Sequence, residues 1–129
     1  MNRSKWHQDV IDFHEKFKLP VGDTPKMPDD MLVSLRRNLI IEEYGELMTD
    51  GFHEYSIVDI ADGAVDLIYV LVGMLATFGI DASAVWDEVH RTNMAKAGGK
   101  KRLDGKILKP KGWEPPEIFR AMHGWRHGG

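Results

Sequence analysis

The sequence predicts an all-α fold: a bundle of four helices, completed by oligomerisation, with a loop or hairpin extension at its C-terminal end. Apolar residues recur at helical spacing, as in Trp6, Val10, Phe13 and Phe17, which lie four, three and four apart. Glycine and proline punctuate the periodic segments at Leu19-Pro20, Pro28, Gly51, Gly79 and Gly98-Gly99. The second segment is apolar on two sides, and in so short a chain its second cover is expected to be another subunit.

The first helix covers residues 3 to 18 and ends at Leu19-Pro20, where proline removes a donor and clashes with the preceding turn. Residues 19 to 28, LPVGDTPKMP, read as a rigid loop. The second helix begins at Pro28-Asp29-Asp30, a proline and acids suited to a first turn. It is expected to run to about Asp50, with Gly51 as its stop. The third spans about 54 to 78, and its second half, LIYVLVGMLATF, is expected to be the most buried segment. Gly63 and Gly73 inside it each cost about 1 kcal/mol relative to alanine, so they imply close helix approach or room for a ligand. The fourth helix starts after Asp81, a good N-cap, and runs to about Lys96, with Val89, Asn93 and Lys96 on one stripe.

Residues 99 to 117, GKKRLDGKILKPKGWEPPE, change character. Lys100, Lys101, Arg102, Lys106, Lys109 and Lys111 are set against only Asp104, Glu114 and Glu117, and Asp104-Gly105 marks a tight turn. The tail FRAMHGWRHGG is expected to add a helical turn and then fray, leaving 113–129 partly flexible. His123 and His127 are four apart, a weak metal signal in a glycine-rich setting.

A chain of 129 residues is long enough for one domain with a real core, and one domain over 1–129 is expected. A net charge of −3 offers no global basic field, so no nucleic-acid partner is expected. The absence of cysteine excludes disulfides and thiolate chemistry. MNRSKWHQDV lacks the apolar core of a signal peptide, and Asp66 interrupts the apolar run 64 to 80, which is short for a membrane span. A cytoplasmic location without a membrane partner is the expectation.

The chemistry is carried by acids on two helices. Counting about 100° per residue from Leu32, Glu42, Glu43 and Glu46 fall near 280°, 20° and 320°, with Leu35 and Leu39 inside the same arc. Ile41, Tyr44 and Met48 occupy the other side. Counting from Asp59, Asp62 and Asp66 fall near 300° and 340°. Both stripes are expected to face inward. Two carboxylates about 6 Å apart repel by roughly 3 kcal/mol at an effective dielectric near 20. Pairing with Arg36, Arg37 or nearby lysines would relieve this, and so would a hard cation such as Mg²⁺. Two aligned stripes favour the metal. With an amide and lysines nearby, such a site fits phosphate chemistry. No Gly-rich phosphate loop, HExxH, GxSxG or cysteine nucleophile offers a rival centre.

EEYGEL at 42–47, DIADGAVDLIYVLVG at 59–73, EVHRTNMAK at 88–96 and DGKILKPKGWEPPEI at 104–118 resemble the all-α nucleoside triphosphate pyrophosphohydrolases. The match is to their MazG-like and phosphoribosyl-ATP pyrophosphohydrolase-like branch, the phage MazZ type included. The resemblance implies Mg²⁺-dependent hydrolysis, with Mn²⁺ able to substitute, of an NTP or dNTP to monophosphate and pyrophosphate. It leans to a purine deoxynucleotide and implies a homodimer or homotetramer. In that family an ExxE and an ExxD hold the metal. Glu43 and Glu46 match the first, Asp66 matches the last acid, and Asp62 replaces the acid that would fall at Gly63. The implied ligands are Glu43, Glu46, Asp62 and Asp66, with Glu42 a further ligand or the base that activates water, and Glu43 counted with it as catalytic. Asn93, Lys96, Lys109 and Lys111 are implied to meet phosphate or sugar. Trp113 could stack on a base or pack on the bundle, and Arg91 could join the phosphates or form a surface ion pair. A di-iron bundle would need two Glu-x-x-His pairs, and the nearest approach is Asp87-x-x-His90. A non-catalytic helical dimerisation protein would leave the aligned acids unexplained.

Overall fold

The computed structural model describes residues 3–125. In chain order its elements are α1 (Lys5–Lys16), α2 (Asp30–Glu46), a π-helical segment (Leu47–His53), α3 (Ile57–Thr77), α4 (Ala82–Met94) and α5 (Ile118–Met122). The fold is all-α, as the hydrophobic spacing predicts, and an antiparallel bridge joins Lys101 to Ile107. No single helix among the described residues is long and apolar enough to cross a membrane. His127 and the rest of the frayed end expected over 126–129 lie outside the described residues. The chain packs as two compact units, Met1–Ala82 and Ser83–Gly129.

In the first unit α1, α2 and α3 each start on a side-chain cap. Ser4 Oγ accepts from the His7 N–H, Asp29 Oδ1 from Leu32 and Ser56 Oγ from Asp59, each satisfying a donor that a first turn leaves open. The expected stop at Gly51 is corrected. The chain stays helical through His53 in a wider π-helical winding, and Gly51 is buried inside that segment. A Cβ at Gly51 would meet the Ile60 side chain at 3.0 Å, so its bareness serves close packing and not termination. The reversal comes at Tyr55, in the left-handed region with φ 51°.

α1, α2 and the π-helical segment all pack on α3. Phe13 meets Tyr69 edge-on at 5.5 Å between ring centres. The proline-rich loop is strapped along the end of α3. Gly22 N–H donates to Ala76 O, Lys26 N–H to Phe78 O, and Thr77 Oγ1 to Pro20 O at 2.9 Å. The second half of α3 is less enclosed than expected. Gly73, Ala76 and Thr77 are buried, but Tyr69 and Leu71 remain over a third exposed. Its neighbours cover two faces of an all-round apolar helix and leave another bare.

In the second unit, Gly105 turns a short hairpin with φ 94°, its N–H donating to Arg102 O, while Asp104 accepts from both Arg102 and the Lys106 N–H. Glu88, buried on α4, accepts two bonds from Arg91 at 2.9 and 2.8 Å and one from the Glu117 N–H at 2.8 Å. One carboxylate thereby ties α4 to the start of the turn-long α5, which follows Pro115-Pro116 as expected.

Candidate functional site

α2 and α3 run antiparallel, and successive pairs mark their register. Arg36 lies against Gly73 and donates to Val70 O at 3.0 Å, Leu47 lies against Gly63, and Gly51 against Ile60. In step with these pairs, Glu43 feels the charge of Asp66. The inward line of α2 runs through Arg36, Glu43 and Leu47, near 40°, 20° and 60° on the wheel counted from Leu32. That corrects the expected inward arc. Leu35 is 52% exposed, and Glu42, Glu46 and Asp62 are exposed, while Glu43 and Asp66 are half-buried. Leu35 and Leu39 misplaced the arc because the residue on the true core line is an arginine.

Close approach of the two helices depends on missing side chains. A Cβ on Gly63 would lie 3.2 Å from Leu47 Cα, and one on Gly73 would run into the Arg36 guanidinium. Arg36 is 7% exposed, its Nε has no partner, and burial lowers its pKa. Hence Arg36 supports the helix pair through Val70 and does not neutralise the acids.

Glu43 has one carboxylate oxygen, Oε2, buried without a hydrogen-bond partner. Its pKa is raised, first by burial and then by the charges of Glu46 and Asp66, with Glu42 adding to them. The structure thus brings Glu43, Glu46 and Asp66 into one electrostatic group, with Glu42 at its margin. Asp62 sits exposed one turn before Asp66 and is not among the charges that raise Glu43. Among the described residues, no three acids or histidines are arranged to hold a metal ion as the side chains stand. The donor chemistry nevertheless fits a hard cation: the oxygens are carboxylate, the charges converge, and Glu43 Oε2 lacks the partner that a cation would be.

In the second unit Asn93 projects exposed from α4, and Lys96 follows the helix end, half-buried. Trp113 donates its indole N–H to Thr92 O at 2.7 Å, and the ammonium groups of Lys96 and Lys109 lie over its ring at 5.4 and 5.0 Å from the centroid. Lys111 is exposed and does not join this group. Arg91 is engaged by Glu88 in an ion pair.

Two residues with structural weight escape a reading of the sequence. Arg36 looks like one of a surface Arg-Arg pair, and only its seven-residue spacing from Glu43 hints that both share a line. Glu88 looks like any helix acid; its burial is created by Arg91 and by a backbone N–H 29 residues away.

A family model described as phosphoribosyl-ATP pyrophosphohydrolase matches residues 10–93, more than half of the chain and all of α2, α3 and the acids between them. No curated protein matches.

Proposed function

The chain belongs to the phosphoribosyl-ATP pyrophosphohydrolase family, whose members are nucleotide pyrophosphohydrolases, and from that premise we propose that it cleaves nucleoside triphosphates to monophosphate and pyrophosphate. The observation that carries this reading is Glu43: a buried, unpartnered carboxylate oxygen held among the charges of Glu46, Asp66 and Glu42. A pocket of acids disfavours an anionic substrate unless a cation intervenes. Glu43, Glu46, Asp62 and Asp66 would hold Mg²⁺, or Mn²⁺ in its place, Asp62 by turning in from its exposed position. When bound, the cation neutralises these carboxylates and the charge of the phosphate chain.

The remaining steps fall to this chain's own groups. A water oxygen attacks one of the two phosphorus atoms of the α–β anhydride, and its P–O bond to the bridging oxygen opens. The electron pair leaves with that oxygen, on pyrophosphate when the α phosphorus is attacked and on the monophosphate when the β phosphorus is. The proton lost by water passes to a carboxylate, a role we give to Glu42, exposed at the margin of the group, with Glu43 beside it. Asn93, Lys96, Lys109 and Lys111 offer an amide and ammonium donors for phosphate or sugar oxygens.

A second copy of the chain is part of the reading. Ile41 and Tyr44 are 58% and 54% exposed and Met48 is at 36%, an apolar line that runs from α2 into the π-helical segment on the side opposite the acids. Mass measurement in solution should give a dimer or tetramer.

The test is pyrophosphate release from all common NTPs and dNTPs and from phosphoribosyl-ATP, with Mg²⁺ and with chelator. We expect Mg²⁺-dependent release, greatest with a purine deoxynucleotide, the substrate to which the branch resemblance leans. No release from any of them by the wild-type chain would overturn the function, and release undiminished by chelator would overturn the role of the acids.

A further inference from the structure

We propose that Trp113 is a positioning residue that gathers Lys96 and Lys109 into one polyphosphate-binding site, so that this segment reads the phosphate chain and not the base; the inference rests on the hydrolase reading above. Trp113 is fixed from below. The last turn of a helix leaves carbonyls without intrahelical donors, and Trp113 Nε1–H fills one of these at Thr92 O, 2.7 Å away. Thr92 is itself 2% exposed, with its hydroxyl donating to Val89 O at 2.9 Å, so the anchor point is rigid. From above, Gly112 at φ 82° and the Trp113 N–H to Pro110 O bond turn the chain so that the indole meets α4. Gly99 completes the fold-back: a Cβ there would collide with Leu108 O, so only glycine lets the base of the hairpin close on the helix end.

On this post the two lysines meet from distant points of the sequence. Lys96 ends the α4 region and Lys109 leaves the hairpin, yet both ammoniums lie within cation–π range of the same ring. The two arginines that flank Lys96 in the sequence are treated differently. Arg91 is held by Glu88 and Arg102 by Asp104. Among the described residues, neither Lys96 nor Lys109 has an acidic partner. A neutral ring therefore organises two uncompensated charges, with Lys109 exposed and Lys96 half-buried, open to an incoming anion. Ammoniums are compact point charges with rotatable donors, suited to the tetrahedral oxygens of a phosphate chain more than to a planar carboxylate. A ring already engaged by two cations is poorly disposed to stack on a base.

The test uses the full chain with chelator present, and inorganic tripolyphosphate as a probe that has phosphates but no base. Binding is measured by calorimetry for wild type, W113L, W113F, K96A/K109A and the triple variant. We expect W113L to weaken tripolyphosphate binding by about tenfold, near the sum of two exposed cation–π contacts. W113F, which keeps a ring, should lose less, and W113L should add under twofold in the K96A/K109A background. Equal tripolyphosphate affinity in wild type and W113L, with only nucleotide binding weakened, would show a base-stacking residue and overturn the proposal. A wild type that hydrolyses nucleotides but binds no tripolyphosphate overturns the proposal alone; one that binds tripolyphosphate but hydrolyses no nucleotide overturns the hydrolase reading alone. Independently of any variant's folding, the ε-methylene protons of Lys96 and Lys109 in wild type should be displaced by the indole ring current. Finding both at the position of a free lysine would also overturn it.

Discussion

Between α2 and α3, Glu43 stands among like charges with an oxygen that nothing satisfies, whereas on α4 and in the segment after it four cations lean on a partner: Arg91 on Glu88, Arg102 on Asp104, Lys96 and Lys109 on Trp113. In the first region the fold tolerates electrostatic strain that an added cation would relieve. In the second the charges are arranged beforehand, so that a ligand meets groups whose ordering has already been completed. The acids should consequently govern turnover, and the basic segment should govern affinity.

The largest expected effect tests the first half of that contrast. Asp66→Ala or Glu46→Ala should lower turnover on the order of a thousandfold, about 4 kcal/mol of barrier. Because either change removes repulsion around Glu43, the metal-free variant should melt no lower than wild type. A rate near normal at saturating Mg²⁺ would remove that residue from the group.

On the basic side, replacing Lys109 and Lys111 together by alanine should raise the Michaelis constant on the order of a hundredfold or more, at about 1.5–3 kcal/mol per charge-assisted contact, with turnover little changed. Rate against substrate concentration at fixed Mg²⁺ and ionic strength decides it. A Michaelis constant within a factor of two of wild type would make this a solvated loop. The single variants sharpen the comparison, since Lys109 sits over Trp113 and Lys111 does not; the larger share of the effect should fall on Lys109.

Two glycines, one on α3 and one on α2, should behave oppositely on alanine substitution. At Gly73 the new methyl would meet the Arg36 guanidinium and His14 Nε2, and denaturant unfolding should show a loss of about 1–3 kcal/mol. At Gly45 nothing lies within 4 Å of it, so helix propensity should give a gain of about 0.5–1 kcal/mol. Equal losses at both would mean that the α2–α3 register does not depend on Gly73.

The smallest effect concerns α1. Burial is the first cause that lowers the pKa of His7 and His14 below 6.5, with the charges of Arg3 and Arg36 respectively lowering them further. The unfolded chain takes up protons at 6.5 while the folded chain does not, so stability is complete above that value and declines as pH falls below it, down to the folded-state pKa. Urea midpoints measured for wild type and His14→Gln at about pH 7.5 and 5.5 should show a smaller acid-side drop in the variant. Identical drops would mean that His14 titrates alike in both states.

Helix content could be read from local chemistry: Trp6, Val10, Phe13 and Phe17 at helical spacing, Asp29 as a cap, and the turn at Asp104-Gly105 all act within a few neighbours. The acids 42–46 and 62–66 and the basic segment with Asn93 and Lys96 were legible too, because charge and spacing are sequence properties. The sequence did not show which acids turn inward. That depends on the rotation of α2 about its own axis, set by Arg36 reaching Val70 across Gly73 and by Leu47 settling on Gly63. Nor did it show that Gly51 lies inside a helical segment, since its use is contact with Ile60 and not chain reversal. The pairing of Trp113 with Lys96, Lys109 and Thr92 was hidden for the same reason. A ring and two ammoniums attract only at contact distance, and the hairpin fold-back that brings them there is a tertiary event that no local spacing encodes.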